Sequence, residues 1–201
     1  MNRRRAFLKG AALFALAGAY AFGREIGDGT KRGERRAIIY GTRYGATRDT
    51  AGWIAEGMGG DVALLDIEKL DTEGLAERYD RLVIGSGIWI DGPHKKLLKL
   101  LEEQGAALAP KIAAGFVVCG TTDRDEAGRK RIAGYLDRLV APLPRPPKLQ
   151  RAFGGRMIIA RLDERDRRLL ENFYTRIIHK PFKDWDRTDP RGAKAFGKII
   201  I

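Results

Sequence analysis

From residue 37 onward, short apolar runs alternate with amphipathic stretches. The runs Ala37–Tyr40, Asp61–Ile67, Arg81–Ile90 and Lys111–Cys119 read as strands, and a fifth is predicted around Arg156–Ala160, within Leu149–Leu162. Helical spacing fills the gaps. Thr47–Met58 carries Trp53 and Ile54 and is stopped by Gly59-Gly60; Asp71–Arg78 is short. Pro93–Leu108 has Leu97, Leu98, Leu100 and Leu101 apolar and Lys95, Lys96 and Lys99 facing out. Asp125–Val140 sets Ile132, Leu136 and Leu139 on one face, and Pro142–Pro147 is a connector. Asp163–His179 bears a stripe of Leu169, Leu170, Phe173, Tyr174, Ile177 and Ile178. Asp189-Pro190 caps a last helix to about Lys198, with Gly192 and Gly197 inside it leaving the firmness of its packing open. Near-continuous apolar strands between helices predict an α/β fold, a parallel sheet covered on both faces. Such sheets bind ligands at the carboxyl ends of their strands. The loops after strands one, three and four lie there, and all carry small, hydroxyl or glycine residues.

The first 23 residues differ in kind. They hold four basic residues (Arg3, Arg4, Arg5, Lys9), no acid, and the uncharged run Gly10–Phe22, near whose end Ala19-Tyr20-Ala21 is a small-x-small site. These are the regions of an export signal. Arg4-Arg5-Ala6-Phe7-Leu8-Lys9 resembles the twin-arginine motif, which implies export of a folded protein, often with its cofactor inserted, to the periplasm or the outer face of the cytoplasmic membrane. The alternative is a short amphipathic or anchoring helix; 13 residues are few for a bilayer span. The predicted organisation is a signal over 1–23, a polar linker over 24–35 and one domain over 36–201.

Of the net charge of +12, +8 remains outside the signal, which is either a solvated surface or a match to an anionic partner. The single cysteine, Cys119, excludes an internal disulfide. No clustered Cys/His pattern offers a metal site, no basic-aromatic pattern offers a nucleic-acid surface, and no catalytic dyad stands out.

The stretch with the clearest chemistry is AIIYGTRYGATRDT, Ala37–Thr50. A strand ending in a hydroxyl- and glycine-bearing loop that opens a helix gathers N–H groups and the positive helix end around one point. A phosphate fits there. Thr42-Arg43-Tyr44-Gly45-Ala46-Thr47 is similar to the flavodoxin phosphate loop T-x-T-G-x-T, with Tyr44 in place of the middle threonine. Tyr79–Ile88 resembles the YDxxVIGS pattern of the flavodoxin-type, menaquinone-dependent protoporphyrinogen oxidases. Gly92 and His94, Phe153-Gly154-Gly155-Arg156-Met157 and Phe182-Lys183-Asp184-Trp185-Asp186 match further elements of that subgroup in order.

The resemblance implies a flavodoxin-like, doubly wound five-stranded sheet of order 2-1-3-4-5, with FMN as cofactor. Thr42, Tyr44, Gly45, Ala46 and Thr47 then supply the phosphate cradle, and Arg43 either adds charge or faces water. Thr47 is equally placed to cap the helix. Ser86, Gly87, Ile88 and Trp89 wrap the ring, with Trp89 either stacking on it or serving as a core aromatic. Cys119, Gly120, Thr121 and Asp123 line the other side, Cys119 as an inert buried thiol. His94 either bonds the flavin or substrate or faces solvent. The helix Asp163–His179 falls where the subgroup has an extra segment with a membrane-side, quinone-facing role; its stripe serves that role or packs on the sheet. The implied activity is oxidation of a porphyrinogen with electrons passed to a quinone or redox protein, with a peripheral membrane contact. An exported electron carrier and a flavin-free binding protein are the alternatives. Haem synthesis is mainly cytoplasmic, which sits uneasily with an exported porphyrinogen oxidase.

Overall fold

The computed structural model describes residues 33–90 and 92–200. The predicted signal and most of the predicted linker lie outside them. Strand β1 (Arg36–Gly41) sits between β2 (Val62–Asp66) and β3 (Arg81–Gly87), followed by β4 (Ile112–Cys119) and β5 (Leu149–Gly154). All pairings are parallel, in the order β2-β1-β3-β4-β5. β1, β3 and β4 are aliphatic on both faces because both faces are covered. One core layer gathers Ile39, Leu82, Ile84 and Val117 beneath α2 (Leu75–Arg78), α3 (Lys95–Leu108) and α4 (Glu126–Val140). The other gathers Ile38, Val83, Phe116 and Phe153 beneath α1 (Ala46–Met58) and α6 (Pro190–Lys198). Phe116 fills the second layer by lying over Gly85, where a Cβ would overlap its ring.

The last helix packs firmly. A Cβ on Gly197 would run into the Ile54 carbonyl oxygen, and one on Gly57 into that of Lys194. The two helices cross on glycine, with Ala193 and Phe196 buried against α1. Asp189 caps α6 as predicted, accepting from the Gly192 N–H at 2.9 Å.

The register aligns one rim. Gly41 pairs with Ser86, Gly87 with Val118 and Cys119 with Gly154, so the loops after β1, β3 and β4 emerge at one level.

Three predicted elements differ. The third strand ends at Gly87 rather than Ile90: the Ile88 N–H still reaches the Val118 carbonyl, but Trp89 and Gly92 then bond each other in a tight turn. That turn forces the exposed Ile90 to φ 45°. The fifth strand lies earlier than predicted, at Leu149–Gly154. Gly155 donates to Cys119 and accepts from Arg187, so the chain leaves the sheet and β6 (Arg156–Met157) pairs antiparallel with β7 (Trp185–Asp186). The segment Asp163–His179 is α-helical only as α5 (Glu164–Asn172), followed by a π-helical turn over Phe173–Ile177. Its stripe does not all pack on the sheet: Leu169, Phe173 and Ile177 are 38, 37 and 62 % exposed.

Candidate functional site

The loop after β1 is shaped by one hydrogen bond and one glycine. Thr42 Oγ1 accepts from the Gly45 N–H at 3.0 Å, and Gly45 takes φ 90°, which favours glycine. Helix α1 starts directly after it with no side-chain cap. Its first-turn N–H groups therefore point at the loop without a side-chain acceptor, and the helix dipole adds to them. Thr47 is buried rather than capping. Its hydroxyl lies 2.7 Å from where a Cβ on Gly87 would stand, so only glycine lets the end of β3 pass this close.

Arg43 and Tyr44 turn away from this cradle, toward α5. The Tyr44 hydroxyl donates to Asp166, and the Arg43 Nε donates to the same carboxylate. The Asp163 N–H in turn reaches the Tyr44 hydroxyl at 3.3 Å. Asp166 is only 2 % exposed, a buried carboxylate made tolerable by these partners. Burial, then Asp166, pushes the Tyr44 hydroxyl up; Asp166 raises the Arg43 guanidinium. The Asp166 N–H, accepted at 2.8 Å, holds the Asp163 carboxyl below its usual value. The Arg43 guanidinium also lies 4.8 Å from the Trp89 ring centre, and Tyr44 meets Trp89 edge-on at 5.8 Å.

At the loop after β3, the Ser86 hydroxyl is used internally. It donates to the Gly87 carbonyl at 3.0 Å and accepts from the His94 N–H at 2.8 Å. His94 packs on Gly41 and turns its Nε2 to Glu68, 3.2 Å away. Its Nδ1 is buried without a partner among the described residues.

At the loop after β4, Cys119 is buried, and burial pushes its thiol up. The Thr121 hydroxyl lies 3.4 Å from that of Tyr135, and Asp123 is exposed. Trp185 covers Gly120, 3.0 Å from where a Cβ would stand. It is fixed by a bond from its Nε1 to the Tyr174 hydroxyl (2.9 Å) and by Arg187, 4.7 Å from its ring centre. Arg187 also donates to the Gly120 carbonyl at 2.6 Å.

The family model described as a flavodoxin domain matches residues 37–181. The chain belongs to the flavodoxin domain family. The flavodoxin, WrbA-like protein from Agrobacterium tumefaciens is similar in fold, at a TM-score of 0.50 and 18 % identity over 83 % of this chain and 94 % of that one. The Flv1 flavodiiron core from Synechocystis has a TM-score of 0.50 at 15 % identity over 83 % of this chain; the match spans 35 % of that protein. No curated protein matches the sequence.

On this flavodoxin domain the predicted residues divide. Thr42, Gly45, Ala46, Thr47 and Gly87 form one cradle, with Ile88, Trp89, Gly120 and Thr121 along the same rim. Gly45 in the left-handed region, the uncapped start of α1 and the close pass of Gly87 fit a phosphate group. Four expected contacts are redirected. The Tyr44 hydroxyl and Arg43 hold α5, the Ser86 hydroxyl is bonded within its own loop, and His94 turns to Glu68. Sequence reasoning gave no role to Asp163, Asp166, Arg156, Trp185 or Arg187. Arg156 and Trp185 stand within motifs noted in the sequence, FGGRM and FKDWD, whereas the two aspartates lacked any such signal.

Proposed function

We propose that this flavodoxin domain binds FMN and works as an oxidoreductase, oxidising a porphyrinogen-type substrate and passing electrons to a quinone at a membrane surface. The observation that carries the flavin reading is the uncapped, glycine-led start of α1. Thr42, Gly45, Ala46 and Thr47 would hold the phosphate through Thr42 Oγ1 and backbone N–H groups. Gly87, Ile88 and Trp89 from the loop after β3, and Gly120 and Thr121, backed by Trp185, from the loop after β4, would hold the ring between them. Bound FMN supplies hydride and single-electron chemistry. The chain's own part is to orient the ring, exclude water with Trp89 and Trp185, and set which partner reaches it.

The exposed Leu169, Phe173 and Ile177, set among Arg165, Arg168 and Arg176, support a membrane-side role for this segment. No helix among the described residues is long and apolar enough to cross a membrane.

The deciding experiment is an absorption spectrum of the purified chain lacking residues 1–23 after incubation with FMN. Flavin bands that stay with the protein through gel filtration support the reading. Their absence at saturating FMN leaves a fold kept for another ligand. Turnover of protoporphyrinogen with menaquinone then separates the oxidase from an electron carrier. A reporter fused to residues 1–23, exported only by the twin-arginine route, supports an outer location.

A further inference from the structure

Two guanidinium groups share one carboxylate beside the cradle. Asp49, in the first turn of α1, accepts from Arg48 Nε and Nη2, each at 3.2 Å, through one oxygen. Through the other it accepts from Arg156 Nη2. Asp186, across the β6–β7 pair, has its carboxyl held below the usual value by Thr188 and, to a lesser extent, by Arg156, so two guanidinium groups face two carboxylates and bring localised rather than net positive charge to this spot. That charge lies at the loop: a Cβ on Gly45 would stand 3.6 Å from Arg48 Nη2 and 3.9 Å from Arg156 Nη2.

The two arginines are not equivalent. The Arg48 side chain is 60 % exposed and belongs to α1 itself, whereas that of Arg156 is 17 % exposed and arrives from β6. The β6–β7 pairing, Arg156 to Asp186 and Met157 to Trp185, fixes its backbone. Among the described residues one of its five donors is taken, by Asp49, and no other of its nitrogens is both buried and unpartnered. A held guanidinium with unused donors beside an uncapped helix start is arranged to meet an anion bidentately.

We propose that Arg156 reads the phosphate of FMN, with Asp49 positioning its guanidinium, so that this chain separates FMN from riboflavin by charge as well as by the backbone cradle. The inference rests on the FMN reading above. Arg48 reinforces the local field from solvent, where salt screens it.

The test is titration of FMN and of riboflavin, each followed by quenching of flavin fluorescence, against the natural chain and Arg156→Gln. Arg156→Gln is expected to weaken FMN about tenfold or more and riboflavin less than twofold, as loss of a charge-assisted contact to one phosphate requires. Arg156→Lys restores part of the FMN affinity, since it keeps the charge and loses the fork. Asp49→Asn weakens FMN less than Arg156→Gln does, because it frees the guanidinium without removing it. An equal loss for both flavins in Arg156→Gln overturns the proposal and marks a structural role. So does an unchanged FMN affinity. Failure of the natural chain to bind either flavin refutes the FMN reading itself, and this inference with it. Thermal midpoints of the variants within a few degrees of the natural chain's confirm that folding is preserved.

Discussion

Replacing Asp166 by alanine should open the segment 161–178 while leaving the sheet folded. Asp166 is the one buried side chain of α5, and two charge-assisted bonds, from Arg43 and Tyr44, end on it. Each bond to a charged group contributes about 1.5–3 kcal/mol. The carboxylate side chain is 3 % exposed but Arg43 is 45 % exposed, so solvent screening roughly halves that partner's share. The expected loss is about 2–4 kcal/mol. It falls locally, because α5 gives no apolar residue to the buried core. Each ~2 kcal/mol multiplies the open population about 30-fold. The assay is limited trypsin digestion, since Arg161, Arg165, Arg167, Arg168 and Arg176 are all exposed. Where opening and closing are fast relative to cleavage, cutting within 161–176 should quicken about 30-fold or more. Tyr44→Phe, which removes the hydroxyl's bonds to Asp166 and Asp163 but keeps the Arg43 bond, should quicken it about tenfold, for a loss of about 1.5 kcal/mol. Equal digestion rates for Asp166→Ala and the natural chain would refute the reasoning. So would a sheet that unfolds, by circular dichroism, at the concentration of denaturant that first exposes that segment.

Gly197→Ala should lower the thermal midpoint by about 4–8 °C, for a loss near 2 kcal/mol, because the new methyl meets the Ile54 carbonyl on the facing helix. A scan of melting temperature against pH should show a plateau bounded on both sides. Asp163 and Asp80 titrate below the ordinary 3.8, Asp163 chiefly because of the Asp166 N–H and Asp80 chiefly because of its bond from Arg35, so their contribution holds above about pH 4 and is lost as acid protonates them. The Tyr44 hydroxyl is raised above 10.0, first by burial, so its contribution is complete below about pH 10 and lost as pH climbs through the raised value. Cys119, 4 % exposed with its thiol pushed up, should react with an aromatic disulfide reagent only slowly in the native protein and at once in denaturant.

The alternation of apolar runs made the sheet legible, because strands buried on both faces leave no polar interruption. The loop after β1 was legible for a related reason: hydroxyls and glycine between a strand and a helix have few other uses. The departures came where long-range contacts set the local structure. Arg156–Ala160 has the composition of a strand, but Gly155, tied to Cys119 and Arg187, swings it off the sheet. Ser86, His94 and Tyr44 are all residue types a flavin could use. Each was claimed by a partner eight or more positions away in sequence: His94 for Ser86, Glu68 for His94 and Asp166 for Tyr44. Periodicity and composition do not report on pairs of that kind. The stripe of Asp163–His179 left a partner-facing role and packing on the sheet both open, because spacing records amphipathicity and is silent about what lies opposite.

The glycine crossing of α1 and α6 sets the timing of folding. Ala51 and Ile54 belong to a helix made early, yet the residues that cover them, Ala193, Phe196 and Ile200, emerge some 140 positions later. Until residue 200 has been synthesised, one face of the sheet's first helix stays wet, and the central strands carry an open hydrophobic side. A hydrogen bond from Arg81 Nη1 to the Ile200 carbonyl ties the third strand to that late arrival. Contacts of such long sequence separation slow folding. A chain stopped short of residue 190 would be an aggregation hazard in the cell, even with every strand of its sheet already made.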